Sequence, residues 1–481
     1  MASLVYTNVS TRNPELQLDS SVNINIDSFS SLAVVGPNGS GKSRFIDAIA
    51  NNVALNEGTV QLSVDGRKLF SPQIGYISFR DINKLTDSPD SYYQKRWNAT
   101  ENEDCPIVAD ILGQSRVEAN MELIKSLNIE HILPKHIIQI SSGELRKLLI
   151  VRCLLKCPKA IIIDNPYIGL DAESRDIVNE LLNSIVSSQK IPIILILCNI
   201  KDIPTWMDKI ILFKDLKCLG TPTATEFLND SSLQNSIFRD VTINDVNLPA
   251  GIALGDTNYK NAIEMNKINI RYYNHAILKD VDWIVSKGET WALLGENGCG
   301  KSTLLSLVSG DNPQSYANDI TLFDRKRGTG ESIWDIKKHI GYLTPDMHTY
   351  YRENISCLDV VATGFKDTVG LFLKPSAEER AKALEWMKTF NADHLAEKSF
   401  LKISYGEQRL ILLCRVFVKT PDLLILDEPL HGLDQEKKLL VKCAIEKYCE
   451  QLKPTLIYVT HYQNEIPSVV KNRKILIKNR D

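Results

Sequence analysis

Short, uniformly apolar runs recur along the chain and end in either glycine or acid. Trp291-Ala292-Leu293-Leu294 leads into a glycine loop, and Leu423-Leu424-Ile425-Leu426 leads into Asp427-Glu428-Pro429. Ile161-Ile162-Ile163 likewise leads into Asp164. Such runs predict strands buried on both faces, the habit of a parallel sheet covered by helices. Between them the period lengthens. Ser376-Ala377-Glu378-Glu379 has capping-box form and is followed by Ala381, Leu384, Trp386 and Met387, which predicts a helix. Met121, Leu123, Ile124 and Leu127 play the same part earlier, and Trp334 and Trp386 are read as core residues.

The pattern occurs twice. Residues 31–43, ending Gly36-Pro37-Asn38-Gly39-Ser40-Gly41-Lys42-Ser43 and followed by Arg44, match the stretch ending Gly295-Glu296-Asn297-Gly298-Cys299-Gly300-Lys301-Ser302 and followed by Thr303. Ser141-Ser142-Gly143-Glu144 matches Ser404-Tyr405-Gly406-Glu407, and Gly169-Leu170-Asp171 matches Gly432-Leu433-Asp434. Lys42 and Lys301 are 259 positions apart, while Ser141 to Ser404 and Asp164 to Asp427 are each 263. Offsets this constant indicate an internal duplication. The expected organisation is one domain over 1–228, a short, mildly acidic linker over 229–262, and a second domain over 263–481.

Each glycine loop stands between a strand and a helical pattern, the setting a phosphate-binding loop requires. Its glycines let backbone N–H groups converge on an anion, and the helix start adds favourable partial charge. Lys301 would reach the terminal phosphates and Ser302 would hold Mg²⁺; Lys42 and Ser43 occupy the same places in the first half. Asp427 and Glu428 are adjacent carboxylates at a strand end, where open α/β sheets bind ligands. Their mutual repulsion calls for a cation or a proton-accepting role.

Composition adds bounds. The formal net charge of −3 offers no bulk basic field for nucleic acid. Arg325-Lys326-Arg327 is read as a solvated turn. Ten cysteines follow no metal-binding spacing, and Cys153, Cys198 and Cys414 lie inside apolar runs, so reduced, buried thiols are expected. No leader is expected, and the apolar runs are too short to span a bilayer. A soluble protein follows, in the cytoplasm or peripheral at the inner face of the membrane.

Together the phosphate loop, the Ser-x-Gly-Glu signature, the strand ending Asp-Glu, the Gly-Leu-Asp loop and Val459-Thr460-His461 resemble the ATP-binding cassette (ABC) ATPases in both halves. Within that superfamily, 310–316 and 328–337 resemble the tandem-cassette ModF-like proteins, whose relatives are associated with molybdate uptake. The resemblance implies an α/β fold of two tandem ABC-type P-loop NTPase domains. Each would have a RecA-like mixed sheet core, an antiparallel β subdomain and a helical signature subdomain. It also implies a head-to-tail ATP clamp formed within one chain. Carried over residue by residue, Tyr272 would stack on adenine, and the loop residues Gly295 to Thr303 and Gly36 to Arg44 would bind phosphates. Asp427 and Asp164 would support Mg²⁺ with Ser302 and Ser43. Glu428 would polarise water and His461 would contact the γ-phosphate. Ser141, Gly143, Glu144, Ser404, Gly406, Glu407, Asn165, Asp171 and Asp434 complete the ATP-binding set.

Several positions depart from the family. Asn165 stands where the second half has Glu428, and an amide cannot accept water's proton. The position matched to His461 is read as Asn199, and Thr11 lies near the place of Tyr272. The first site is therefore expected to bind nucleotide and hydrolyse it poorly. Neither Ile74-Gly75-Tyr76 nor Ile340-Gly341-Tyr342 leads to the family's usual glutamine; Phe79 and Pro345 stand there instead. The leading expectation is the energising ATPase of separately encoded membrane permease subunits. The rivals are a mechanical ATPase acting on a protein or nucleic-acid partner, and a nucleotide-gated adaptor.

Overall fold

The computed structural model of the protein describes residues 1–78, 106–137, 140, 142–167, 170, 172–239, 241–255, 258–272, 275–296, 298–345, 347, 351, 354–367 and 374–478. Of the candidate site residues, Ser141, Asp171 and Asn297 lie outside this set, as do Phe79 and Gly169. The chain divides into two compact units, Met1–Arg239 and Asp240–Asp481.

In the second unit, five parallel strands lie in the order Ile340–Leu343, Leu423–Asp427, Thr455–Val459, Thr290–Leu294, Asn472–Ile475. Leu423–Asp427 and Thr455–Val459 are buried at every position, which accounts for their lack of polar alternation. A separate antiparallel sheet orders His275–Ser286, Asn261–Tyr272, Asp319–Leu322 and Arg325–Lys326. Three helices, Cys357–Ala362, Ala377–Thr389 and Tyr405–Phe417, pack on one another. The Ser376–Glu379 capping box is present, with the Ser376 hydroxyl accepting from Glu379 N and Glu379 accepting from Ser376 N.

The first unit repeats the plan. Its main sheet orders Lys217–Gly220, Lys209–Lys214, Ser31–Val35, Ile193–Leu197, Ala160–Asp164 and Ile74–Ser78, parallel except for the edge strand Lys217–Gly220. Ala2–Thr11 is central to an antiparallel sheet with Ile24–Phe29 and Leu55–Val64. The helical part includes Met121–Ser126 and Ser142–Leu154. The expected linker is shared out between the units. Helix Ser231–Ile237, capped by the Asp230 carboxylate, buries Ile237 in the first core, whereas Val246 is buried in the second.

Two smaller expectations need correction. Trp386 is core, packed with Phe390, Phe417 and Tyr448, but Trp334 is 57% exposed because its short helix Ile333–Lys337 buries Ile336 instead. Arg325 and Lys326 are solvated as expected, whereas Arg327 is buried, paired with Glu331 at 3.0 Å and lying over the Tyr316 ring. Cys153, Cys198 and Cys414 are free and buried, as their apolar neighbours implied. Among the described residues, no helix is long and apolar enough to cross a membrane.

Candidate functional site

Each phosphate loop connects a buried strand to a helix that begins at the loop's lysine: Thr290–Leu294 to Lys301–Ser309, and Ser31–Val35 to Lys42–Ile49. Neither helix has a side-chain cap, so the amides of its first turn remain available to an anion. Gly300 ends the second loop at φ 95°, where a Cβ would fall 2.8 Å from Leu278 Cδ2. Gly36 opens the first, and a Cβ there would meet Phe213 O at 2.1 Å. No other residue fits either place.

Each lysine is held by its own loop. The Lys301 ammonium donates to the carbonyls of Gly295 (2.8 Å) and Glu296 (3.0 Å), and Lys42 to those of Gly36 and Pro37 (both 2.7 Å). Ser302 and Ser43, next along, are exposed at the helix start, while Cys299 and Thr303 are buried. Arg44 turns away and donates to Gln17 O.

The carboxylates sit two strands over, with Thr455–Val459 between their strand and that of the phosphate loop. Parallel pairing sets Asp427 against Val459, so His461 arrives beside Glu428, with Nε2 2.9 Å from Oε1. Glu428 takes the left-handed conformation (φ 49°), and its N–H donates to Val459 O. Burial pushes the Asp427 carboxyl up, and the Glu428 charge adds to this. Burial acts on Glu428 in the same direction, but the His461 hydrogen bond and the nearby His431 and Arg409 outweigh it and hold Glu428 low. Glu428 is therefore the more readily ionised member of the pair.

The first unit has the same backbone with different chemistry. Asn165 also adopts φ 47°, and its N–H donates to Ile196 O. Its side-chain amide turns onto Asp164, donating to Oδ1 at 2.7 Å. The register corrects one sequence match. Asp164 pairs with Ile196 as Asp427 pairs with Val459, so the counterpart of His461 is Cys198, not Asn199. The offset of 263 that relates Asp164 to Asp427 gives the same match, since it relates Cys198 to His461. Cys198 is buried, and Asn199 donates toward Asp202.

Other candidates have local partners. Ser404 and Glu407 cap each other at the start of helix Tyr405–Phe417, where Gly406 is buried. Gly143 lies close to Ser174, and Glu144 pairs with Lys135 at 2.9 Å. The fully buried Asp434 carboxylate accepts from Lys437 N as the N-cap of helix Gln435–Leu452. Tyr272 ends its strand, as Thr11 ends its own; the Tyr272 hydroxyl accepts from Asn312 Nδ2 and the Thr11 hydroxyl donates to Asn13 O.

The oxygen donors suit a hard cation. Ser302 supplies a hydroxyl, and the buried Asp427 carboxylate supplies charge that a cation would relieve. Among the described residues, no group of three or more His, Cys, Asp or Glu could hold a metal ion.

A family model described as "ABC transporter" matches residues 20–168 and 278–431, covering the phosphate loop and strand-end acid of each unit. The chain belongs to the ABC transporter ATP-binding family. It is 33% identical to the ABC transporter ATP-binding protein ModF of Escherichia coli over 456 residues, 92% of this chain and 90% of the relative. An uncharacterized ABC transporter ATP-binding protein of Schizosaccharomyces pombe is 28% identical over 100% of this chain and 99% of its own. A solved structure of the archaeal ribosome recycling factor aABCE1 with the stalk protein aP1 shares the fold, with a TM-score of 0.54 at 17% identity over 92% of this chain and 82% of that one. The protein is thus a tandem ABC ATP-binding protein similar to ModF, and its family supports ATP hydrolysis.

Two residues of the second cassette's site went unnoticed in the sequence. Arg409, buried in the signature helix, donates to the carbonyls of Thr344, Asp427 and Glu428. Its first-cassette counterpart, Arg146, donates to Pro166 O. A guanidinium leading into the apolar run 410–414 was the available signal. The second residue, His431, contacts Tyr405.

Proposed function

We propose that the chain hydrolyses ATP chiefly at the site built on Lys301, Ser302, Asp427, Glu428 and His461, and that the first cassette binds nucleotide but turns it over poorly. The Glu428–His461 pair at 2.9 Å carries this reading, set against an Asn165 amide committed to Asp164. Lys301 and the loop amides hold the terminal phosphates. Ser302 and Asp427 hold Mg²⁺, which supplies neutralisation of the phosphate oxygens. Glu428 accepts the proton of the attacking water, and His461 orients Glu428 while facing the γ-phosphate. Tyr272 stacks on adenine, with the second ATP in the loop of Lys42 and Ser43. Each signature completes the site of the other cassette, in a clamp formed within one chain. Kinetics of Glu428→Gln and Asn165→Gln test the division of labour: the first should be inactive, the second close to wild type.

The work done with that ATP is assigned to separately encoded membrane permease subunits, which the chain energises from the cytoplasmic face. Similarity to ModF over 92% of the chain supports this. A second reading, work on a soluble protein or ribosomal partner, is favoured by Thr344 and Pro345, which follow strand Ile340–Leu343 where transport relatives place a coupling glutamine. Co-purification of Glu428→Gln protein from gently solubilised cells separates the two. Recovered permease supports transport, and recovered ribosomes or soluble enzyme overturn it.

A further inference from the structure

Two side chains that the proposed chemistry leaves unused touch each other beside the catalytic strand end. The Tyr405 hydroxyl, in the second signature, lies 3.0 Å from His431 Nδ1, and the two rings meet edge to face with centroids 5.7 Å apart. The Tyr405 ring lies against Gly432, where a Cβ would come within 2.4 Å of it.

His431 belongs to the turn that begins at Glu428, and its N–H donates to Glu428 O at 3.0 Å. Arg409, one helical turn beyond Tyr405, donates to the same Glu428 carbonyl at 2.8 Å and to that of Asp427 at 2.6 Å. The signature helix therefore grips this turn twice, once at its backbone and once through His431. The grip has a physical purpose. Glu428 has φ 49°, which a residue with a Cβ keeps only where its surroundings over-determine it. A change in that angle would swing the carboxylate away from His461. At a spacing of 263, the first cassette has Ser142 and Ile168 in place of Tyr405 and His431. No hydroxyl–imidazole link can form from that pair; there the place of Glu428 is taken by Asn165, which keeps φ 47° without it because asparagine tolerates the left-handed region more readily.

We infer that Tyr405 and His431 are a positioning pair that holds the Glu428 turn in its water-activating conformation and ties it to the signature helix. The inference rests on the reading of Glu428 as the catalytic base.

The test is phosphate release by the full chain carrying Tyr405→Phe, His431→Leu or His431→Asn, each alone and combined with Glu428→Gln. Tyr405→Phe and His431→Leu should lower kcat about tenfold and leave KM for ATP within about twofold. His431→Asn, whose amide can still meet the tyrosine hydroxyl, should recover most of the loss. With Glu428→Gln present, Tyr405→Phe should cause no further fall in the single-turnover rate. Tyr405→Phe removes one buried-edge oxygen and keeps the ring, so an unchanged melting temperature should accompany the loss. Wild-type kcat in Tyr405→Phe, a KM effect equal to the kcat effect, or His431→Asn as slow as His431→Leu overturns the positioning pair while leaving the base assignment intact. Full turnover in Glu428→Gln overturns both.

Discussion

The imidazole of His461 lies 2.9 Å from the Glu428 carboxylate, and the same strand register puts the buried thiol of Cys198 at that place in the first cassette. One cassette thus pairs a carboxylate with an imidazole, whereas the other has an amide and a thiol at the corresponding positions. A hydrogen bond to the charged carboxylate favours its anion and fixes its direction. Neither advantage exists at Asn165, which donates to Asp164 instead.

Glu428→Gln should abolish steady-state phosphate release and retain ATP binding. The amide keeps the side-chain shape and removes the proton acceptor. Filter binding with labelled ATP beside a phosphate assay checks this; undiminished release removes Glu428 from catalysis.

Replacing the two loop lysines should have unequal effects. Lys301→Ala should cut turnover by about 100-fold or more, as expected for loss of a charge-assisted phosphate contact costing on the order of 2–3 kcal/mol. Lys42→Ala should lower it only a few-fold, through weaker nucleotide occupancy. Equal rates in the two variants would show the cassettes to be equivalent.

Metal dependence should follow Ser302. Chelation of Mg²⁺ should stop turnover, and Ser302→Ala should raise the Mg²⁺ concentration needed for half-maximal rate, because one hydroxyl ligand is lost. An unaltered Mg²⁺ titration would place the ion elsewhere.

The proposed completion of each site by the other cassette's signature predicts that Gly143→Asp, in the first cassette, stops hydrolysis at the second cassette's loop by setting a carboxylate against phosphate. Gly406→Asp should leave substantial turnover. Rates in the reverse order would sink the pairing and the site assignment together.

The tryptophans offer a stability contrast. Trp386→Ala removes a buried ring packed against Phe390, Phe417 and Tyr448 and should cost about 3–5 kcal/mol. Trp334→Ala, at an exposed position, should stay within about 0.5 kcal/mol. Chemical denaturation of both variants gives the comparison.

Much was legible from residues alone. The apolar runs ending at Leu294, Asp164 and Asp427 specified buried parallel strands, because only such strands dispense with alternation. The glycine loops specified their helices, since their backbone demands exclude other residues. The duplication specified two cassettes, and Asn165 in the place of Glu428 made their strand ends chemically different. The match of His461 to Cys198 rather than Asn199 was already contained in the 263 offset, and the strand register agrees with it. Two things needed the tertiary structure. Packing decided that Trp334 is outside and Arg327 inside, since a five-residue helix has too few positions to declare its buried face. And the approach of residues far apart in sequence decided the grip of Arg409 and Tyr405 on the turn at Glu428, because a contact between chain segments leaves no period in either one.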